Sequence, residues 1–178
     1  MPQPYVPILL GTGREGRQSE KVARFVLAQA KAAGLDAELF DVRDYGSAVT
    51  IPSWEKNPRA KQWQTAVKQA DALIMVIPEY NHSFPGEFKI LLDSLFKEYV
   101  KKPVGLCAVS SGAFGGARMA EQLMPVFNYL QMVWVGPPVY FPKIKELFDE
   151  DGNIKDDSFL EKLKKLFADL RWYSAKLK

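Results

Sequence analysis

Short apolar runs alternate with stretches of helical period along most of the chain, and that alternation limits the fold more than any other feature. Residues 6–10 form a compact apolar run that stops at Gly11, residues 37–42 a second, residues 72–77 a third that ends at Pro78, residues 104–109 a fourth and residues 132–135 a fifth. Between them the spacing is helical. Val22, Phe25, Val26 and Ala30 recur up to Gly34, a C-terminal stop. Trp63, Ala66, Val67 and Ala70 share a face, as do Phe88, Leu91, Leu92 and Leu95 after Pro85. A fourth helical stretch carries Ala120, Leu123, Met124, Phe127 and Leu130 with a kinking Pro125 inside it, and a last one Leu160, Leu163, Phe167 and Leu170. Residues 43–58 hold two prolines and no clear period. Five short apolar strands separated by helices predict an α/β fold, a parallel sheet with helices on both faces. In such sheets ligands lie beyond the carboxyl ends of the strands, at the topological switch point. The loops after strands one, three and four therefore matter most.

Length and composition narrow the class further. The 178 residues fit one domain, residues 1–178. At that size about 70% of the unfolded surface is buried on folding, so one core needs no staples. Cys107 is the only cysteine, which excludes an internal disulfide and a cysteine-rich metal site and favours a reducing compartment. The first residues carry no basic stretch followed by a long apolar one, so no signal peptide is expected. The longest apolar runs, residues 73–77 and 104–109, are too short to span a bilayer. We expect a cytoplasmic protein without membrane contact. A net charge of +3, dispersed and without an arginine stripe interleaved with aromatics, points away from nucleic acid.

The three loops are unusual in composition. The first contains Gly11, Gly13 and Gly16, formally G-x-G-x-x-G. In a dinucleotide-binding fold the helix opens inside that triplet; here the apolar helical period starts only at Val22, and Ser19 followed by Glu20 reads as a helix cap with an acidic first turn. Hydroxyls at Thr12 and Ser19 and guanidiniums at Arg14 and Arg17 suit a terminal phosphate dianion, with the spacing leaving open which arginine reaches it. The second loop, which begins PEYNHSFPG at Pro78, is stiffened by its two prolines. Tyr80 and Phe84 offer flat surfaces beside a planar ligand, and Asn81 a donor and an acceptor. The third loop, SSGAFGGARM from Ser110, has small residues that let backbone approach a ligand closely, with Arg118 in the first turn of the following helix.

Taken together and in this order, GTGREGRQSEKVA, PEYNHSFPGEFKILLDSL and SSGAFGGARMAEQL resemble the NADPH-dependent FMN reductase family, which includes chromate, quinone and azo reductases, over residues 6–170. The resemblance implies a flavodoxin-like doubly wound, five-stranded parallel sheet of order 2-1-3-4-5. It implies non-covalent FMN, NADPH or NADH as electron donor, a small-molecule acceptor, and a homodimer or homotetramer packed partly through the helix after PEYN. By the same likeness Thr12, Arg14, Gln18 and Ser19 take the phosphate. Pro78, Glu79, Tyr80 and Asn81 edge the isoalloxazine, and Ser111, Gly112 and Gly115 border it from the other side. The first loop carries an extra Gly and Arg relative to the shorter G-S-x-R-x-x-S, which leaves the role of Arg17 open.

Hydride chemistry of this kind belongs to the cofactor, so no acid–base dyad is expected. His82, the only histidine, has no G-x-S-x-G elbow to serve and no metal-binding companions, and is read as a loop residue near the flavin or a neighbouring subunit. Cys107 reads as inert core, and residues 149–153, DEDGN, as a turn, the Gly coming too early for a calcium loop. Two other functions compete. One is a flavodoxin-like electron carrier, against which the positive net charge and the PEYN loop speak. The other is a dinucleotide-binding dehydrogenase, whose acidic ribose ligand would be Asp36 or Asp41. Phe84, Phe88 and Phe96 around one helix hint at self-association.

Overall fold

The structure is a computed structural model and describes residues 3–177. Its sheet has the order β2-β1-β3-β4-β5, with every neighbouring pair parallel. The strands are β1 (Tyr5–Leu10), β2 (Asp36–Asp41), β3 (Leu73–Pro78), β4 (Pro103–Val109), β5 (Val133–Trp134) and β6 (Val139–Phe141). The helices are α1 (Ser19–Ala32), α2 (Lys61–Gln69), α3 (Gly86–Asp93), α4 (Ala117–Tyr129), α5 (Ile144–Leu147) and α6 (Ser158–Lys176). β3 and β4 are buried at every position because both sheet faces are covered, which is why they read as unbroken apolar runs. Side chains alternate between the faces. Leu9, Met75 and Ile77 pack with Trp63, Phe88 and Phe127 on the side of α2, α3 and α4. Ile8, Leu10, Ile74, Val76 and Cys107 pack with Val22, Val26, Phe159 and Phe167 on the side of α1 and α6. Cys107 is a core residue, and burial pushes its thiol pKa far up.

The fifth strand departs from expectation. Instead of one run at residues 132–135, the place beside β4 is shared by two short strands. β5 pairs with Pro103 and Val104, and β6 with Cys107, Ala108 and Val109. Gly136, at φ +62°, turns the chain out between them, and Pro137 and Pro138 have no N–H to give a ladder. As a result β6 brings the segment that follows it, including α5, to the carboxyl end of β4.

Ser19 is the first residue of α1 rather than its cap; Gln18 caps the helix without a side-chain hydrogen bond. Gly34 does follow the helix end, at φ +76°. In α6 the buried face runs through Phe159, Leu163, Phe167 and Leu170, and Leu160 faces solvent. Residues 149–153 form a turn in which the Asp149 carboxylate accepts from the Asn153 N–H at 2.7 Å. Phe88 is fully buried and Phe84 and Phe96 partly so; the exposed apolar side chains of this region are Met124, Tyr129 and Trp54. No described helix is long and apolar enough to cross a membrane. Among the described residues no three or more His, Cys, Asp or Glu side chains are grouped to hold a metal ion.

A buried hydrogen bond ties α2 to the segment before β4: Trp63 Nε1 donates to the Tyr99 hydroxyl at 3.0 Å, both side chains being inaccessible. Tyr99→Phe leaves the indole N–H buried without an acceptor. It is expected to cost about 1–2 kcal/mol in urea unfolding; an unchanged midpoint would show that the indole finds another partner.

Candidate functional site

The carboxyl ends of β1, β3 and β4 bring the three singled-out loops side by side. Gly11, at the end of β1, is there for packing: a Cβ would lie 2.3 Å from Ile77 Cδ1 and 3.1 Å from the Phe88 ring. Its bare backbone lets β3 and α3 close over the strand end. The chain then runs as an open loop to Ser19 before turning into α1, so the helix does not begin inside the glycine triplet.

Between the loops lies a cavity of about 400 Å³. Arg14, Arg17, Gln18 and Ser19 border it from the first loop, Pro78, Glu79 and Tyr80 from the second, and Ser110 and Ser111 from the third. Ile144 and Lys145, reached through β6, complete the wall. A larger cavity of about 560 Å³ lies by Trp54, Lys61 and the C-terminal end of α3, away from these strand ends. The smaller one holds a polar group in want of a partner. Ser19 Oγ is buried there and forms no hydrogen bond within the protein. A buried hydroxyl without a partner is costly, and this one sits in the first turn of a helix of 14 residues, whose N–H groups favour an anion. An anionic oxygen, such as that of a phosphate monoester, would suit both the hydroxyl and the helix N-terminus.

Four of the expected residues stand off the cavity wall. Thr12 is fully buried. Its hydroxyl donates to Glu87 Oε1 at 3.0 Å and shares a 2.9 Å hydrogen bond with the Tyr80 hydroxyl, so it links the first loop to the second. The same Glu87 oxygen accepts from the Gly13 N–H at 2.8 Å. Asn81 and His82 are exposed and form the two-residue tip of a hairpin in which Tyr80 and Ser83 exchange both backbone hydrogen bonds, at 2.8 and 2.9 Å. Both tip residues have positive φ, +48° and +63°, as a type I′ turn requires. A histidine in that conformation is strained, and the two Tyr80–Ser83 backbone hydrogen bonds hold it there. Gly112 is exposed in the third loop, its carbonyl accepting from the Lys143 N–H at 3.1 Å, and Gly115 shapes that loop from behind. At Gly115, φ is +62° and a Cβ would lie 2.8 Å from Tyr140 Cβ, so only glycine lets this loop lie against β6.

Arg17 borders the cavity, yet its charge is used inward. Its side chain is 4% exposed and makes ion pairs with Asp41 and, at 3.2 Å, with Glu20. Its Nη1 also donates to Asp41 Oδ1 at 2.7 Å and to the Thr12 carbonyl. The hydrogen bond to Asp41 raises the Arg17 pKa against the effect of burial. Burial alone would push the Asp41 carboxyl up, but hydrogen bonds from Arg17 and the Arg43 backbone hold it below its ordinary value of 3.8. Arg24 and then Arg17 lower Glu20 despite burial. Arg14 instead stays exposed, 5.6 Å above the Tyr80 ring. These facts separate the two arginines, which spacing did not: Arg14 faces outward and Arg17 braces the loop.

They also remove the acidic ribose ligand of a dehydrogenase. Asp41 is engaged by Arg17, and Asp36 begins β2, at the opposite end of the sheet. Glu87 and Lys145 went unrecognised in the sequence. An acid in the first turn of a helix is ordinary, and Lys145 lies in α5, which reaches the cavity only because the fifth strand is split.

Comparison with known proteins identifies the family. Residues 4–146 match the family model described as NADPH-dependent FMN reductase. A quinone reductase of Pseudomonas putida is 30% identical over 180 aligned residues, covering 94% of this chain and 95% of that protein. An FMN-dependent NADPH-azoreductase of Staphylococcus haemolyticus is 30% identical over 112 residues, 59% of this chain and 60% of that protein. Among solved structures, FerB, a flavoenzyme NAD(P)H:(acceptor) oxidoreductase from Paracoccus denitrificans, superposes with a TM-score of 0.78 at 18% identity, covering 97% of this chain and 98% of that one.

Proposed function

Because the chain belongs to the NADPH-dependent FMN reductase family, we propose that it holds FMN in the cavity between its three loops and passes electrons from NADPH or NADH to a small acceptor. Flavins, quinones, azo compounds and metal oxyanions are the acceptor classes in question. The observation that carries the proposal is the buried, unpartnered Ser19 hydroxyl at the start of α1, in the wall of that cavity.

In this reading Ser19, Gln18 and the guanidinium of Arg14 take the phosphate. Pro78, Glu79 and Tyr80 edge the ring, Asn81 standing beyond them at the exposed hairpin tip, with Ser111 across from them and Gly115 keeping the third loop, which includes Gly112, low. Thr12 works one layer back, holding the Tyr80 hydroxyl, and Arg17 holds the loop in shape. Glu79 Oε2 accepts from the Met119 N–H at 3.2 Å, which anchors the second loop to α4. FMN, when bound, supplies the hydride chemistry; the residues around it bind and orient. The whole chain then acts as one cofactor-holding domain in a reducing, cytoplasmic setting, without nucleic acid or membrane. Exposed Met124 and Tyr129 on α4, next to half-buried Phe96, suit a second copy of the chain.

The purified protein should be yellow, and NADPH or NADH should bleach it in the absence of oxygen. A yellow protein that neither nucleotide bleaches would make it an electron carrier, and a chain that takes up no FMN would refute the proposal. Sedimentation at micromolar concentration is expected to show a dimer or tetramer; a monomer would reject self-association.

A further inference from the structure

Lys145 lies in α5, outside the three loops, and we infer that it is a further ligand of the phosphate end of the cavity. The inference rests on the reading of that cavity as an FMN site.

Charge is the first consideration. A phosphate monoester brings nearly two negative charges at neutral pH. Of the arginines near the first loop, Arg17 is enclosed between Asp41 and Glu20, and Arg24 pairs with Glu20. Arg43 donates to the carbonyl oxygens of Gly13 and Arg14. Only Arg14 is left on that loop to meet the dianion, and Glu15 and Glu79 share the same wall. Lys145 is the other cation bordering the cavity, and it has no ion-pair partner among the described residues. A long, flexible ammonium suits a point contact to a phosphate oxygen.

Backbone construction is the second. Three hydrogen bonds, each 3.1 Å, fasten the end of β6 and the segment after it to the third loop. The Ser110 N–H donates to the Phe141 carbonyl, that of Ile144 to the Ser110 carbonyl, and that of Lys143 to the Gly112 carbonyl. Lys143 has left-handed backbone, φ 46° and ψ 44°, which a lysine adopts only when its surroundings impose it. That turn carries the chain around the end of β6 and sets Ile144 and Lys145 on the cavity wall. The lysine is therefore held at the rim by a rigid segment rather than by a loose surface loop.

The test compares FMN with riboflavin, which lacks the phosphate. The full chain, dialysed free of resident flavin, is titrated with each while flavin fluorescence is followed. Lys145→Gln is expected to weaken FMN binding about tenfold and to leave riboflavin affinity unaltered, and Lys145→Arg to keep FMN affinity near the native value. Should Lys145→Gln bind FMN as the native chain does while Arg14→Gln loses affinity, the role of Lys145 falls and the FMN site stands. Equal losses for FMN and riboflavin would mean that Lys145 acts on packing, which also overturns it. If the unaltered chain binds no FMN, the reading of the cavity fails and takes the lysine with it.

Discussion

Replacing Arg14 and Ser19 together by alanine is expected to weaken FMN binding by about two orders of magnitude without unfolding the chain. A charge-assisted bond from Arg14 and a neutral one from Ser19 contribute roughly 3 kcal/mol together, and each 1.4 kcal/mol is a factor of ten in affinity. The single change Ser19→Ala gives a sharper signature. Its hydroxyl is buried and unpartnered within the protein, so removing it from the flavin-free chain should raise stability by about 1 kcal/mol, while FMN affinity falls. Opposite signs for stability and binding mark a group kept for its ligand. Chemical unfolding of the flavin-free variants and fluorescence titration with FMN measure both. Native affinity in the double variant would remove the first loop from the cofactor site.

Arg17→Met is expected to cost about 3 kcal/mol at neutral pH, because it leaves Asp41 and Glu20 without their enclosed cation. The loss lies at the low end for buried pairs because both carboxylates keep some contact with water. For a chain of this length the thermal midpoint should fall by about 8 °C. The pH dependence has a definite sign. Asp41 and Glu20 have folded pKa values below their ordinary 3.8 and 4.5, so the stabilisation is fully present above those values. It is lost as the pH falls from there through the folded values. The gap between native chain and variant should therefore be widest above about pH 5 and close on acidification below about pH 4. A gap that stays constant through the carboxylate range would mean that Arg17 contributes packing rather than charge. FMN affinity should also drop in this variant, since the Thr12 carbonyl loses its tether.

The two arginines of the first loop show where sequence reading stops. Their spacing marked both as phosphate candidates, and nothing local distinguishes them. Arg17 is taken up by Asp41, a residue at the far end of β2 in the chain, which β2 brings beside the first loop by pairing with β1. The same carboxylate, read by its distance from the glycines, suggested a ribose ligand. Thr12 is a similar case: its hydroxyl is spent on Glu87 and Tyr80, partners that only the β1–β3 adjacency supplies.

Strand and helix placement, by contrast, was written locally. A strand covered on both faces must be apolar throughout, as β3 and β4 are, and a helix lying on a sheet must repeat its apolar residues at helical spacing, as α1 does. Burial imposes those patterns on neighbouring residues, so amino-acid order alone determined the α/β class and which loops meet at the strand ends. The split between β5 and β6, the inward use of Arg17 and the placing of Lys145 came only with the folded molecule. Each depends on which distant segment lies alongside, and a charge or a hydroxyl is available to a ligand only if no such neighbour has already engaged it.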